Sequence, residues 1–224
     1  MIGLVGGVGC GKSHLARLLQ KKHPIEVVEG DIAGHQVLTE PRVQESLREV
    51  FGDGIFTAAE TPASPSAAAL TLPPELPPVL EVNRAQIGKL VFGSGLEQLA
   101  ARKKLEQIVH PRISEILARQ IALAQSRPGV EAVILDAAIL LEAGWRRLCD
   151  AVVFIETQFE KRLERVTKSR GWSRDELRLR EESQFPLERK RKEADYVVDN
   201  SGDEQAALLQ LESVYSRVLG SDHS

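Results

Sequence analysis

Cysteine is scarce in this chain. Cys10 and Cys149 are the only two among 224 residues. They stand far apart, so there is no disulfide framework and no zinc-ligand spacing. Long apolar runs are missing too, and none reaches the length of a membrane-crossing helix. The first residues lack the charged start and cleavage site of a secretory signal. The expected setting is therefore the cytoplasm, with no membrane partner. A strong charge of either sign is also absent. The formal net charge of −3 gives no bulk affinity for nucleic acid or an anionic bilayer. That charge is uneven: residues 161–192 hold 12 Lys/Arg against 6 Asp/Glu, a net of +6 in an otherwise acidic protein. A local basic segment of this kind suits a small phosphate-rich ligand better than a long polyanion. The hydrophobic content of 42% supports a real core.

The N-terminus carries the strongest signal. Met1-Ile2-Gly3-Leu4-Val5 has the length and composition of a buried parallel strand. GGVGCGKS follows from Gly6 to Ser13, and then Leu15, Leu18 and Leu19 recur at helical spacing. Strand, glycine loop and helix form the context in which G-x-x-x-x-G-K-[ST] has a mechanism. The loop can turn its N–H groups inward as an anion nest, and the next helix adds its positive end. Lys12 is placed to reach the outer phosphates, and the Ser13 hydroxyl is the candidate ligand for Mg²⁺. The alternative is an ordinary glycine-rich turn between strand and helix. A dinucleotide fingerprint starting at Gly7 fails on spacing, because Lys12 stands where the third glycine belongs. Cys10, inside the loop, reads as a small loop residue rather than a nucleophile.

Further strands are expected at 25–29, 132–136, 151–155 and 196–198. Helices are expected at 42–51, 84–92, 96–125 (interrupted at His110-Pro111), 158–192 (broken at Gly171 and Pro186) and about 203–219. Residues 57–81 hold six of the eleven prolines; they read as a surface loop that cannot pack as a helix or central strand. Strands alternating with helices after a phosphate loop predict a doubly wound α/β fold, with ligand at the strands' C-terminal edge. Asp31, just past the second strand, could accept or orient a proton of an acceptor hydroxyl; the structural alternative is a helix N-cap. Asp136 ends a strand and is either a water-mediated Mg²⁺ ligand or a turn residue. Arg162, Arg165 and Arg170 are either a lid that closes over a phosphoryl group or a solvated helix face. His110 is a ligand contact or a packed histidine. Asp31-Ile32-Ala33-Gly34 fits D-x-x-G, but no N-K-x-D guanine-reading motif exists, which argues against a GTPase switch.

Over nearly the whole chain except 57–81, the sequence resembles the dephospho-CoA kinases. The matching pieces are IGLVGGVGCGKS, VVEGDIAGHQVL, NRAQIGKLVF, LEQIVHPRI, ILDAAILLEAGW, ETQ at 156–158 and ESQFPLERKRKEADYVVDN. The resemblance implies a P-loop kinase core with a five-stranded parallel sheet in three layers, a helical CoA-side subdomain and a lid. It implies transfer of the γ-phosphoryl of ATP to the ribose 3′-hydroxyl of dephospho-CoA, with Mg²⁺. Mapped onto this chain, the core is expected at 1–33, 126–160 and 193–224. The acceptor side is expected at 34–125, with a proline-rich insertion at 57–81, and the lid at 161–192. ATP is expected at Gly7, Gly9, Cys10, Gly11, Lys12, Ser13, His14 and Asn200. The acceptor is expected at His110, Pro111, Asp136 and Glu142, with Lys12, Asp31 and Arg170 as catalytic groups. Only small-molecule substrates are expected, to a monomer or weak homo-oligomer, with no nucleic acid. Gln184 and Pro186 match the segment after the lid helix. The chain departs from the family pattern at Val5 (usually Thr), Glu29 (Asp), His14 (Thr) and Ala138 (Pro). The alternatives are another small-molecule P-loop kinase, such as a nucleoside monophosphate kinase, and a nucleotide-binding regulator without turnover.

Overall fold

A computed structural model describes residues 1–58, 80–93 and 95–221. Five strands build the main sheet: β1 Ile2–Gly6, β2 Ile25–Glu29, β5 Ala132–Asp136, β6 Ala151–Glu156 and β7 Tyr196–Asp199. They lie in the order β2-β5-β1-β6-β7, and every pairing is parallel. β1 and β5 are buried along their whole length, as strands covered on both faces must be. Sequential strands lie on opposite sides of β1, so the sheet reverses there and opens a crevice beyond its C-terminal edge.

Helices α1 Lys12–Lys22 and α9 Glu204–Ser221 cover one face. Ile2, Leu4, Leu15, Leu19, Ile134 and Leu211 pack there with no more than 1% exposure. The other face carries α2 Gly30–Val37, α3 Pro41–Phe51, α4 Arg84–Val91 and α5 Leu96–Gln125. Its core joins Val5, Leu47, Leu117, Leu135, Leu140 and Trp145. The alternation of Leu4 and Val5 between the two cores is the period of a strand. After β6 come α6 Phe159–Arg170, α7 Arg174–Glu182 and α8 Leu187–Glu193. Gly171 (φ 70°) ends α6 in the left-handed conformation, and a Ser173–Glu176 capping box starts α7. The breaks expected at Gly171 and Pro186 are both present.

Two expectations need correction. α5 runs without interruption through His110-Pro111 as one helix of 30 residues. Proline in a helix interior costs about 3 kcal/mol. Val109, Ile113, Leu117 and Ile121 on the same helix are buried, at roughly 1.5–3 kcal/mol for each side chain, so tertiary burial outweighs the local penalty. The ends of the proline-rich segment are also not loop. β3 Phe56–Ala58 and β4 Leu80–Val82 pair antiparallel as a small ribbon. The rest of that segment, 59–79, lies outside the described residues. Among the described residues, no helix is long and apolar enough to cross a membrane.

Candidate active site

The glycine loop is a backbone structure fitted against side chains. Gly9 and Gly11 take φ of 77° and 93°, angles that L side chains rarely adopt. A Cβ on Gly11 would stand 2.5 Å from the Asn200 amide nitrogen, and one on Gly7 2.6 Å from the Arg162 guanidinium. The loop needs glycine both for its angles and for these approaches.

Three side chains converge on the carbonyl of Cys10. Asn200 donates to that carbonyl at 2.8 Å, Arg165 at 3.1 Å and the Thr157 hydroxyl at 3.0 Å. Arg165 also donates to the Asn200 carbonyl at 3.1 Å. Arg162 is buried; it donates to the Thr157 carbonyl and pairs with Glu181 of α7. Glu181 in turn accepts the Val8 N–H at 3.2 Å. Thus Arg162 and Arg165 brace the loop from below, with Glu181 as the link to α7.

Lys12 opens α1 and is buried in the mouth of the loop. Burial acts to lower its pKa, but Cys10, Asp136 and Asp31 act against that and hold it above the ordinary lysine value. Its ammonium lies 3.7 Å from the Cys10 sulfur. Asp136, at the end of β5, is buried as well. Burial raises its pKa; Lys12 and the Ser13 hydroxyl act to lower it, and Asp31 and Glu29 raise it further. Asp31 sits in the first turn of α2, where Glu29 takes the N-cap position. Carboxylates at that end meet the positive pole of the helix.

These groups share one cleft of about 690 Å³ at the C-terminal edge of the sheet, with Lys12, Ser13, His14, Asp31 and Asp136 in its wall. Arg170 lines the same cleft, beside Trp172 and Arg180. The guanidinium of Arg170 lies 4.7 Å from the Trp172 ring centre and that of Arg180 4.0 Å, so two cations stack on one indole. Arg180 also reaches Phe92, at the C-terminal end of α4, at 5.6 Å. Sequence reasoning missed Arg180, Trp172, Phe92 and Glu181. Each sits in a stretch whose local pattern reads as an ordinary charged or capped helix.

Of the other expected residues, Gly7, His110, Pro111, Glu142 and Asn200 do not line this cleft. His14 is exposed and bonds Glu204 of α9 at 2.5 Å. His110 is half-buried beside Trp145, with ring centres 6.3 Å apart. Burial lowers its pKa, against Glu106 and Glu142. Pro111 faces a separate groove of about 1000 Å³ between α3 and α5. Glu142 pairs with the fully buried Lys190 of α8 at 2.9 Å. It also accepts the Phe185 N–H at 2.8 Å.

A hard divalent cation fits the donors present. The Ser13 hydroxyl and the Asp136 and Asp31 carboxylates line the same cleft. Mg²⁺ is typically held by one or two carboxylates, phosphate oxygens and water.

Sequence comparison finds the family model Dephospho-CoA kinase over residues 1–61 and 77–206. The unmatched 62–76 falls inside the proline-rich segment. A dephospho-CoA kinase of Bacillus licheniformis is 31% identical, covering 97% of this chain and 98% of that one. One of Carboxydothermus hydrogenoformans is 30% identical, covering 100% and 97%. Among solved structures, TT1252 from Thermus thermophilus aligns with a TM-score of 0.72 at 26% identity, covering 96% of both chains. Dephospho-CoA kinase from Campylobacter jejuni aligns at 0.59 with 18% identity, covering 99% and 98%, and speaks to the fold alone.

Proposed function

The chain belongs to the dephospho-CoA kinase family, and on that premise we propose that its cleft is where ATP gives its γ-phosphoryl to the ribose 3′-hydroxyl of dephospho-CoA. The products are CoA and ADP, the last step of CoA biosynthesis. The observation that carries this reading is the meeting of Lys12, Ser13, Asp31 and Asp136 in one cleft that Arg170 also lines.

Phosphoryl transfer asks the protein mainly for alignment and charge neutralisation. In this proposal the amides of Gly7 to His14 cradle the ATP phosphates and Lys12 neutralises the outer ones. Asn200 stands next to the adenine. Asp31 orients the acceptor hydroxyl and takes its proton as the O–P bond forms. Arg170 meets the charge that spreads over the equatorial oxygens. Arg162 and Arg165 keep the loop in the shape this requires. Ser13 and Asp136 would hold Mg²⁺, which when bound would supply charge neutralisation to the phosphates. His110, Pro111, Asp136 and Glu142 belong to the acceptor side. We assign residues 34–125 to acceptor binding and 161–192 to a lid over a core at 1–33, 126–160 and 193–224. The setting of this reaction is the cytoplasm, with the chain acting as a monomer or weak homo-oligomer.

The test is ADP release from ATP–Mg²⁺ with dephospho-CoA, with AMP, and with no acceptor. Release only with dephospho-CoA, with CoA as product, is the expected result. Release with AMP instead would move the chain to a nucleoside monophosphate kinase. Tight ATP binding without turnover would favour a regulator.

A further inference from the structure

Lys190 is the least solvent-exposed charged residue among the described residues, with no side-chain surface open to water. Nothing in the reaction outlined above uses it. It lies within Arg189-Lys190-Arg191-Lys192, whose other three members are exposed. Its ammonium has three N–H donors and no acceptor, and three groups face it, two as hydrogen-bond acceptors and one as an ion pair. These are the Ala138 carbonyl at 2.8 Å, the Gln184 side-chain oxygen at 2.8 Å and Glu142 at 2.9 Å. Burial lowers its pKa, and Glu142 opposes that.

The consequence falls on Gln184. Its carboxamide has one acceptor end and one donor end. A lysine ammonium can face only the acceptor end, because the reversed amide would set NH₂ against NH₃⁺ at 2.8 Å. The amide nitrogen is therefore turned away from Lys190. Among the described residues it has no hydrogen-bond partner, and it is not among the buried unpaired atoms. Gln184 lines the phosphate cleft beside Lys12 and Arg170. Ala138, the second partner of Lys190, lines it too.

We propose that Lys190 is a positioning residue that fixes the Gln184 carboxamide so that its NH₂ is presented to the cleft as a donor to an oxygen of the bound reactants. The oxygen is a phosphoryl or ribose oxygen, both of which accept. Glu142 and the Phe185 N–H complete the clamp. The clamp ties the segment after β5 to the joint between α7 and α8. The proposal rests on the cleft being the kinase site.

Gln184→Glu separates donor from packing. It keeps the contact with Lys190 and adds charge attraction to it, but turns an acceptor into the cleft. The expected result is a melting temperature no lower than wild type, with kcat/KM down by about 10- to 100-fold, the worth of a hydrogen bond to a charged group. Gln184→Leu should fall in the same range. Lys190→Met should lower kcat/KM as well, and Lys190→Met/Gln184→Leu should fall no further than Gln184→Leu alone. Independent structural damage would add instead and overturn the positioning role. The Gln184 side-chain amide resonance, identified by its loss in Gln184→Leu, should shift when ATP or dephospho-CoA is added. Unchanged kcat/KM in Gln184→Glu, or an amide that shifts with neither ligand, would overturn the proposal. Wild-type protein that binds ATP but leaves dephospho-CoA unphosphorylated would defeat the functional reading alone, and the amide shift would still decide this one.

Discussion

Arg162 and Arg170 lie on one helix and look alike in sequence, yet their surroundings predict opposite outcomes on removal. Arg162 has 4% of its side chain exposed and Glu181 19%. Arg162→Met leaves a largely enclosed carboxylate without its cation. Breaking such a pair costs about 3–5 kcal/mol when both charges are fully buried, and the partial exposure of Glu181 favours the lower end. In a chain of this size each kcal/mol moves the melting temperature by about 2–4 °C, so a loss of roughly 6–12 °C is expected. ATP affinity should fall with it, because Glu181 holds the Val8 amide of the loop. Arg170 is exposed and stacks on Trp172 at 4.7 Å, a contact worth about 0.5–1 kcal/mol. Arg170→Met should therefore shift melting by no more than about 4 °C. It should lower kcat on the order of 10³-fold if it meets the transferring phosphoryl. Thermal denaturation, ATP titration and steady-state kinetics on the two variants decide the matter. An Arg162→Met protein that melts like wild type but has lost turnover would refute the brace and return Arg162 to the role of closing over the phosphoryl group.

Asp31→Asn should keep ATP affinity while kcat falls by about 10²–10⁴; unchanged turnover would remove Asp31 from the reaction. Asp136 gives a stability prediction with a definite sign. Its folded pKa is raised, by burial first and by Asp31 and Glu29 after it. The folded state then binds its proton more tightly than the unfolded chain does, so its contribution to stability falls as pH rises through the carboxylate range. Asp136→Asn should therefore melt above wild type at pH 7 without ligand, with the gap closing below the ordinary carboxylate pKa, while turnover drops. A lower melting temperature at pH 7 would reverse the argument. Gly11→Ala should cost roughly 2–3 kcal/mol, from the left-handed backbone and the displaced Asn200 hydrogen bond. It should weaken ATP binding as well, since its Cβ falls 2.5 Å from the Asn200 amide; calorimetry with ATP and urea unfolding read the two effects.

What the sequence makes legible here is what short range determines. The phosphate loop is a contiguous string of angles, one lysine and one hydroxyl, and strand–loop–helix context fixes its meaning. The five strands of the sheet announce themselves as short apolar runs for the same reason. α5 was harder, because Pro111 is a local signal and the burial that overrides it is not. β3 and β4 are three residues each, too short to show a period. The site's supports lie further out of reach. Val8 meets Glu181 across 173 positions and Cys10 meets Asn200 across 190. Before folding, Glu181 is one acid in a run of alternating charges, and Lys190 one cation in four.

The distinction matters for how this basic segment is understood. A net of +6 over residues 161–192 suggests a positive lid spread over a polyphosphate. Folding divides that charge into different jobs. Arg162 and Arg165 are spent on loop carbonyls, Glu181 and Asn200. Lys190 is spent inside α8 on Ala138, Gln184 and Glu142. Arg170 and Arg180 line the cleft, stacked on Trp172. Net charge therefore overstates the cationic field a substrate meets. What the buried cations supply instead is shape. They hold the loop backbone and the Gln184 amide in fixed directions before any substrate arrives, and preorganised donors stabilise transferring charge more than mobile ones do.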